Sequence, residues 1–173
     1  SSTLIAGGNL VLSGTVGSGG LTTTTTNLGT TSFGITSVTG NLSTTSAGAV
    51  IQTGKLTIGG TSSIDAGTSA ITLTNLANDF TGNVSLTTTG GSVDVRDTND
   101  LTITSLTNGA NSPVTLWAGA GGTGGTLTLP PQSISTGTAA LDLESQGGTL
   151  STNGAISTTG SGGHVTMVGR NGI

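Results

Sequence analysis

Short apolar–polar–apolar triplets, bounded by Gly, Asn, Asp or Ser, recur along most of the chain. They include Leu56-Thr57-Ile58, Ile71-Thr72-Leu73, Val84-Ser85-Leu86, Val93-Asp94-Val95, Leu101-Thr102-Ile103 and Val114-Thr115-Leu116. Leu127-Thr128-Leu129, Leu141-Asp142-Leu143 and Val165-Thr166-Met167 continue the series, and Leu10-Val11-Leu12 opens it. Alternation with period two marks a strand with one buried face. Thr and Val suit strands, whereas Gly, Asn and Asp close turns because they tolerate positive φ. No window has helical apolar spacing, so essentially no helix is expected. The middle residues Thr57, Thr72, Ser85, Thr102, Thr115, Thr128 and Thr166 should face solvent if their flanks are buried.

An internal repeat strengthens this reading. Ile71 to Gly91 aligns without a gap on Leu101 to Gly121, with Asn78 falling on Asn108. Gly48 to Gly54 resembles Gly154 to Gly160 more weakly. This self-similarity suggests stacked coils. Each strand has only two or three small aliphatics, too few for the broad inner faces of a sandwich. A solenoid needs no more, because every coil adds one thin layer to a continuous core. The expected fold is all-β: a single-domain parallel β-solenoid over residues 1–173. Coils of about 20–30 residues give roughly six to eight of them, in a rod ~30–40 Å long.

Composition changes the picture in one way. Thr, Gly and Ser make up over half of the 173 residues, and charged residues only 6%. Disorder usually couples low hydrophobicity to high net charge, but the net charge here is −4 and the aliphatics fall in alternating clusters. Stacking coils in register places like above like, so charge ladders would repel. The scarcity of charge therefore belongs to the fold. No Cys is present, and Lys55, Arg96 and Arg170 are the only cations, too few for nucleic-acid binding. No apolar run approaches a membrane span, and Ser1 to Ile5 does not resemble a signal peptide. The termini suggest a fragment or processed piece of a longer chain.

Candidate chemistry is sparse. His164 stands alone and is expected to be a turn residue, without the nucleophile and carboxylate of a triad. The run from Asp94 to Asp100 holds the densest charge. Its acids could offer oxygens to calcium, but neither calcium-loop motif is present, so a solvated turn with local hydrogen bonds is expected. No catalytic, cofactor or metal site is expected. Asn41-Leu42-Ser43 and Asn83-Val84-Ser85 are glycosylation-type sequons that arise easily by chance here. Trp117 should point outward if Leu116 points inward. It could stack on a sugar or a partner, or cover apolar surface beneath a loop. Ice-binding solenoids use flat Thr-x-Thr arrays, and the uneven spacing of the triplets argues against one.

The run from Ile71 to Leu86, the following Ser92 to Ile103, and Gly40 to Gly54 resemble passenger repeats of filamentous-haemagglutinin-type bacterial surface adhesins. The resemblance is best over residues 40–130. It implies a right-handed parallel β-helix, exported across an outer membrane and displayed on the cell surface for adhesion or biofilm matrix, with host or matrix glycans as partners. The secretion-domain Asn-Pro-Asn motifs of that family are missing; the chain ends in Asn171-Gly172-Ile173. A shaft segment is the expectation. A self-assembling filament or sheath subunit, polymerising through solenoid ends, is the alternative. A polysaccharide-active enzyme using Asp94, Asp97 or His164 is the third reading.

Overall fold

A computed structural model describes residues 1–159 and 162–170. The terminal Asn171-Gly172-Ile173 and Gly160 of the weaker repeat lie outside the described residues. The chain winds into a β-solenoid of about eight turns, with no helix among the described residues, as the triplets predict. Every strand pairing is parallel. Partners lie one coil apart: Ser2 pairs with Leu21, and Val114 with Leu141, so a coil takes 19 to 27 residues.

Two long sheets form the walls. The first stacks β1 (Ser2–Ala6), β3 (Leu21–Thr25), β5 (Leu42–Thr45), β8 (Ser62–Asp65), β11 (Val84–Thr87), β13 (Leu101–Thr107), β15 (Gly125–Thr128) and β18 (Gly147–Ser151). The wall steps sideways at β13. Ile103 to Thr107 pair back to β11, while Leu101 and Thr102 pair forward to β15. The second stacks β2 (Leu10–Val16), β4 (Thr31–Val38), β6 (Val50–Gln52), β9 (Ile71–Leu73), β12 (Val93–Arg96), β14 (Val114–Ala118), β17 (Leu141–Ser145) and β20 (Val165–Gly169).

Strand β4 forks. Its first half pairs with β6, and its second half starts a third ladder with β7 (Leu56–Ile58) and β10 (Asp79–Phe80). A separate two-stranded ladder joins β16 (Ile134–Ser135) to β19 (Ile156–Ser157).

The core is a stack of thin layers. Val50, Ile71, Val93, Val114 and Leu141 make one buried column on the second wall; Leu73, Val95, Leu116 and Leu143 make the next. Phe33 and Phe80 are its two largest buried side chains. The middle residues of most triplets sit half-exposed on the outside, as alternation requires, with Val11 and Thr166 exposed.

Sequence reasoning missed a polar strip inside. Thr23, Thr25, Thr44 and Ser46 are buried on the first wall. Thr23 Oγ1 donates to Thr44 Oγ1 at 3.0 Å, and Thr25 Oγ1 meets Ser46 Oγ at 3.1 Å. Threonines stacked in register satisfy each other, so the interior tolerates them.

The 30-residue offset of the repeat is longer than any coil. Ile71 lies on the second wall and its counterpart Leu101 on the first; Val84 lies on the first and Val114 on the second. Both walls use the same triplet, so an alignment of triplets cannot tell one wall from the other. Asn78 is buried, whereas its counterpart Asn108 is half-exposed.

Candidate contact surface

The outer side of the first wall carries two rows of small polar residues. One runs Thr3, Thr22, Ser43, Ser63, Ser85 and Ser105, each paired with the next coil. The other runs Ile5, Thr24, Thr45, Asp65, Thr87 and Thr107, interrupted only by Ile5 and Asp65. Rows two residues apart along a strand are about 7 Å apart, and coils repeat every ~4.8 Å. The uneven sequence spacing does not prevent in-register rows, but only Thr22 and Thr24 make a Thr-x-Thr pair, so the rows are not a regular Thr-x-Thr array. Turns of different length absorb the difference while strands keep register.

The second wall changes character along the rod. Its outer row reads Val11, Ser32, Ile51, Thr72, Asp94, Thr115, Asp142 and Thr166 from the first coil to the last. A parallel row aligns Arg96, Trp117, Glu144 and Val168. Trp117 does point outward, half-exposed between Arg96 and Glu144. The Arg96 guanidinium lies over it, 5.4 Å from the ring centroid. Asp94 holds that guanidinium by two 3.2 Å bonds, from Nε and Nη2. The Trp117 Nε1 is buried without a partner.

The charged run from Asp94 to Asp100 splits across the wall. Asp94 and Arg96 face outward. Asp97 does not lie in a solvated turn as expected; it is fully buried. Its Oδ1 accepts the Asn99 N–H at 2.9 Å, the local bond expected of an Asp in a turn. Its Oδ2 accepts the Phe80 N–H at 2.8 Å from the coil below. Burial raises its pKa from 3.8 to about 6, helped by Asp79 and Asp100 and opposed by the two N–H bonds. Beside it, a shallow cleft of about 330 Å³ is lined by Asp79, Thr81, Asn99 and Asp100.

Beneath this corner lies a second buried polar group. Asn78 and Gln52 exchange two amide bonds of 2.9 Å. Asn78 Oδ1 also accepts the Leu56 N–H, and its Nδ2 donates to the carbonyl of Leu73. No sequence signal marked Asn78 or Gln52, because buried and solvated amides look alike in a Thr/Asn-rich chain.

Asp94, Asp97 and His164 do not come together: Asp94 faces outward on β12, Asp97 lies inside the following corner, and His164 precedes β20, three coils further on. His164 is exposed, 3.7 Å from Asp142. Among the described residues, no group of three His, Cys, Asp or Glu is placed to hold a metal. No helix there is long and apolar enough to cross a membrane. Both sequon asparagines, Asn41 and Asn83, are exposed at corners, and Asn41 Oδ1 accepts the Thr61 N–H at 2.9 Å.

Residues 18–87 match a family described as repeats of unknown function (DUF5649). The matched span runs from just before β3 to the end of β11, so it takes in three complete coils. The chain is accordingly a repeat protein of β-solenoid form. No curated protein and no solved structure matches it.

Proposed function

We propose that this chain is a rod segment of an extracellular bacterial adhesin or biofilm-matrix protein, acting through reach, stiffness and many weak contacts. The observation that carries the reading is the in-register double row along six coils of the first wall, all hydroxyl-bearing except Ile5 and Asp65. Such a surface is polar but almost uncharged, and suits a hydroxyl-rich polymer lying along it. Each hydrogen bond exchanged with water contributes little, but repetition at fixed spacing multiplies weak affinities. Trp117 adds one aromatic edge on the adjoining wall. The resemblance to filamentous-haemagglutinin-type repeats supplies the location.

The reading is tested by immobilising the chain at graded densities and measuring retention of neutral polysaccharides. Retention should rise steeply with density. It should fall when Thr24, Thr45 and Thr87 are replaced together by Lys, which also leaves the buried rows intact. No retention at any density would overturn the proposal.

A second reading is a self-assembling filament, in which parallel β-solenoid ends of separate chains stack and pair their strand edges. Electron microscopy over a concentration series distinguishes the two: fibres favour the filament, and monodisperse rods the shaft.

A further inference from the structure

The third ladder ends at β10, and Asp97 stands where it ends. Strand β10 pairs with β7 on one side only. In the next coil the chain passes from β12 through residues 97–100 into β13, with no strand to continue the ladder. The Asp97 carboxylate takes over, accepting the Phe80 N–H that would otherwise be orphaned. The Asp97 main chain is tied as well. Its N–H donates to Trp117 O at 2.8 Å, and its carbonyl accepts the Ala120 N–H at 2.7 Å. One residue therefore joins three successive coils.

The charges around it have one sign. Asp79 on β10 and Asp100 in the same turn both raise its proton affinity. The neighbouring cation, Arg96, is engaged on the outer face by Asp94. The turn at residues 74–78 brings only the amides of Asn75 and Asn78, and the glycine-rich segment 119–125 brings no charge. An ionised carboxylate here loses water and gains no counter-charge, only two N–H donors.

We propose that this corner is a proton-linked latch, which tightens the interrupted third ladder in mild acid and loosens it as the carboxylate ionises. Local opening returns Asp97 to water and to an ordinary proton affinity. The folded-state pKa of about 6 lies above the ordinary 3.8, so the closed corner holds a proton through that window and the open one does not. The stabilisation is therefore full below about pH 4, is lost as pH rises towards 6, and is flat above. A shift of that size changes the opening equilibrium about 100-fold.

Amide hydrogen exchange on the 173-residue chain tests the latch. Protection of Phe80 and Asn99, corrected for intrinsic exchange, should rise by about 25-fold from pH 7.5 to 4.5, most of the full change in free energy. Val50, two coils away, serves as the reference and should change far less. Asp97→Asn should flatten the dependence. Because that variant could fail to fold, Asp79→Asn with Asp100→Asn gives a second arm. It leaves the Phe80 bond in place and should move the midpoint to lower pH. Protection that is flat or falls in acid, or a midpoint unmoved in the double variant, would overturn the proposal.

Discussion

Ser62 occupies a core position that its neighbours fill with carbon. It lies in register between Leu42 and Val84, is 2% exposed, and its hydroxyl has no partner. A buried hydroxyl without a bond carries its full desolvation cost. Ser62→Ala should therefore stabilise the chain by about 1 kcal/mol, seen as a higher urea midpoint with an unchanged slope. The same substitution at Thr44 should destabilise, because Thr23 would lose its acceptor. Asn78 is the opposite case to Ser62. Replacing it by Ala orphans the Leu56 N–H and takes one partner from each end of the Gln52 amide, and should cost about 1–3 kcal/mol in the same titration. At this scale the sequence was readable wherever alternation set the direction, as for Trp117 and Thr115. It was silent on whether a polar residue faces in or out at a corner, as Asp97 and Asn78 demonstrate.

Among the elements, β4 and the turns around it decide most. The fork of β4 turns one wall into two ladders, and Phe33, at its centre, is wholly buried. Phe33→Ala should cost about 3–5 kcal/mol, measured as a fall in the unfolding midpoint. The corner into β3 is equally strict. Gly20 has φ +79°, and a Cβ there would come within 2.6 Å of Asn41 O in the next coil. Gly20→Ala should destabilise by more than about 1 kcal/mol, since backbone must move in two coils. Strand existence was legible from the triplets; strand pairing was not. Pairing depends on the length of each turn, and the 30-residue repeat pointed across walls because triplets carry no label for the wall they join.

For the molecule as a whole, the described strands pair with neighbouring coils, so stability approximates a sum of coils and interfaces. In the 173-residue chain the first and last coils each have one neighbour. Amides of β2 and β20 should exchange faster than those of β9 and β12, which are covered on both sides. Uniform protection along the rod would contradict this nearest-neighbour picture. The few surface charges, with Arg96 against Asp94 and Arg170 3.8 Å from Glu144, add little because exposed pairs are screened. The contact surface also emerges only here. Thr24, Thr45 and Thr87 are scattered in sequence and become one row when coils stack.

The sequence by itself determined the class: parallel strands, thin aliphatic layers, no helix and almost no charge. These follow from local alternation and from the penalty on stacked charge, which every coil repeats. Only the tertiary structure decided the register, the inward threonine strip, the fork of β4 and the burial of Asp97. Each depends on which residues one coil apart come together, and turn lengths fix that without leaving a periodic trace in the chain.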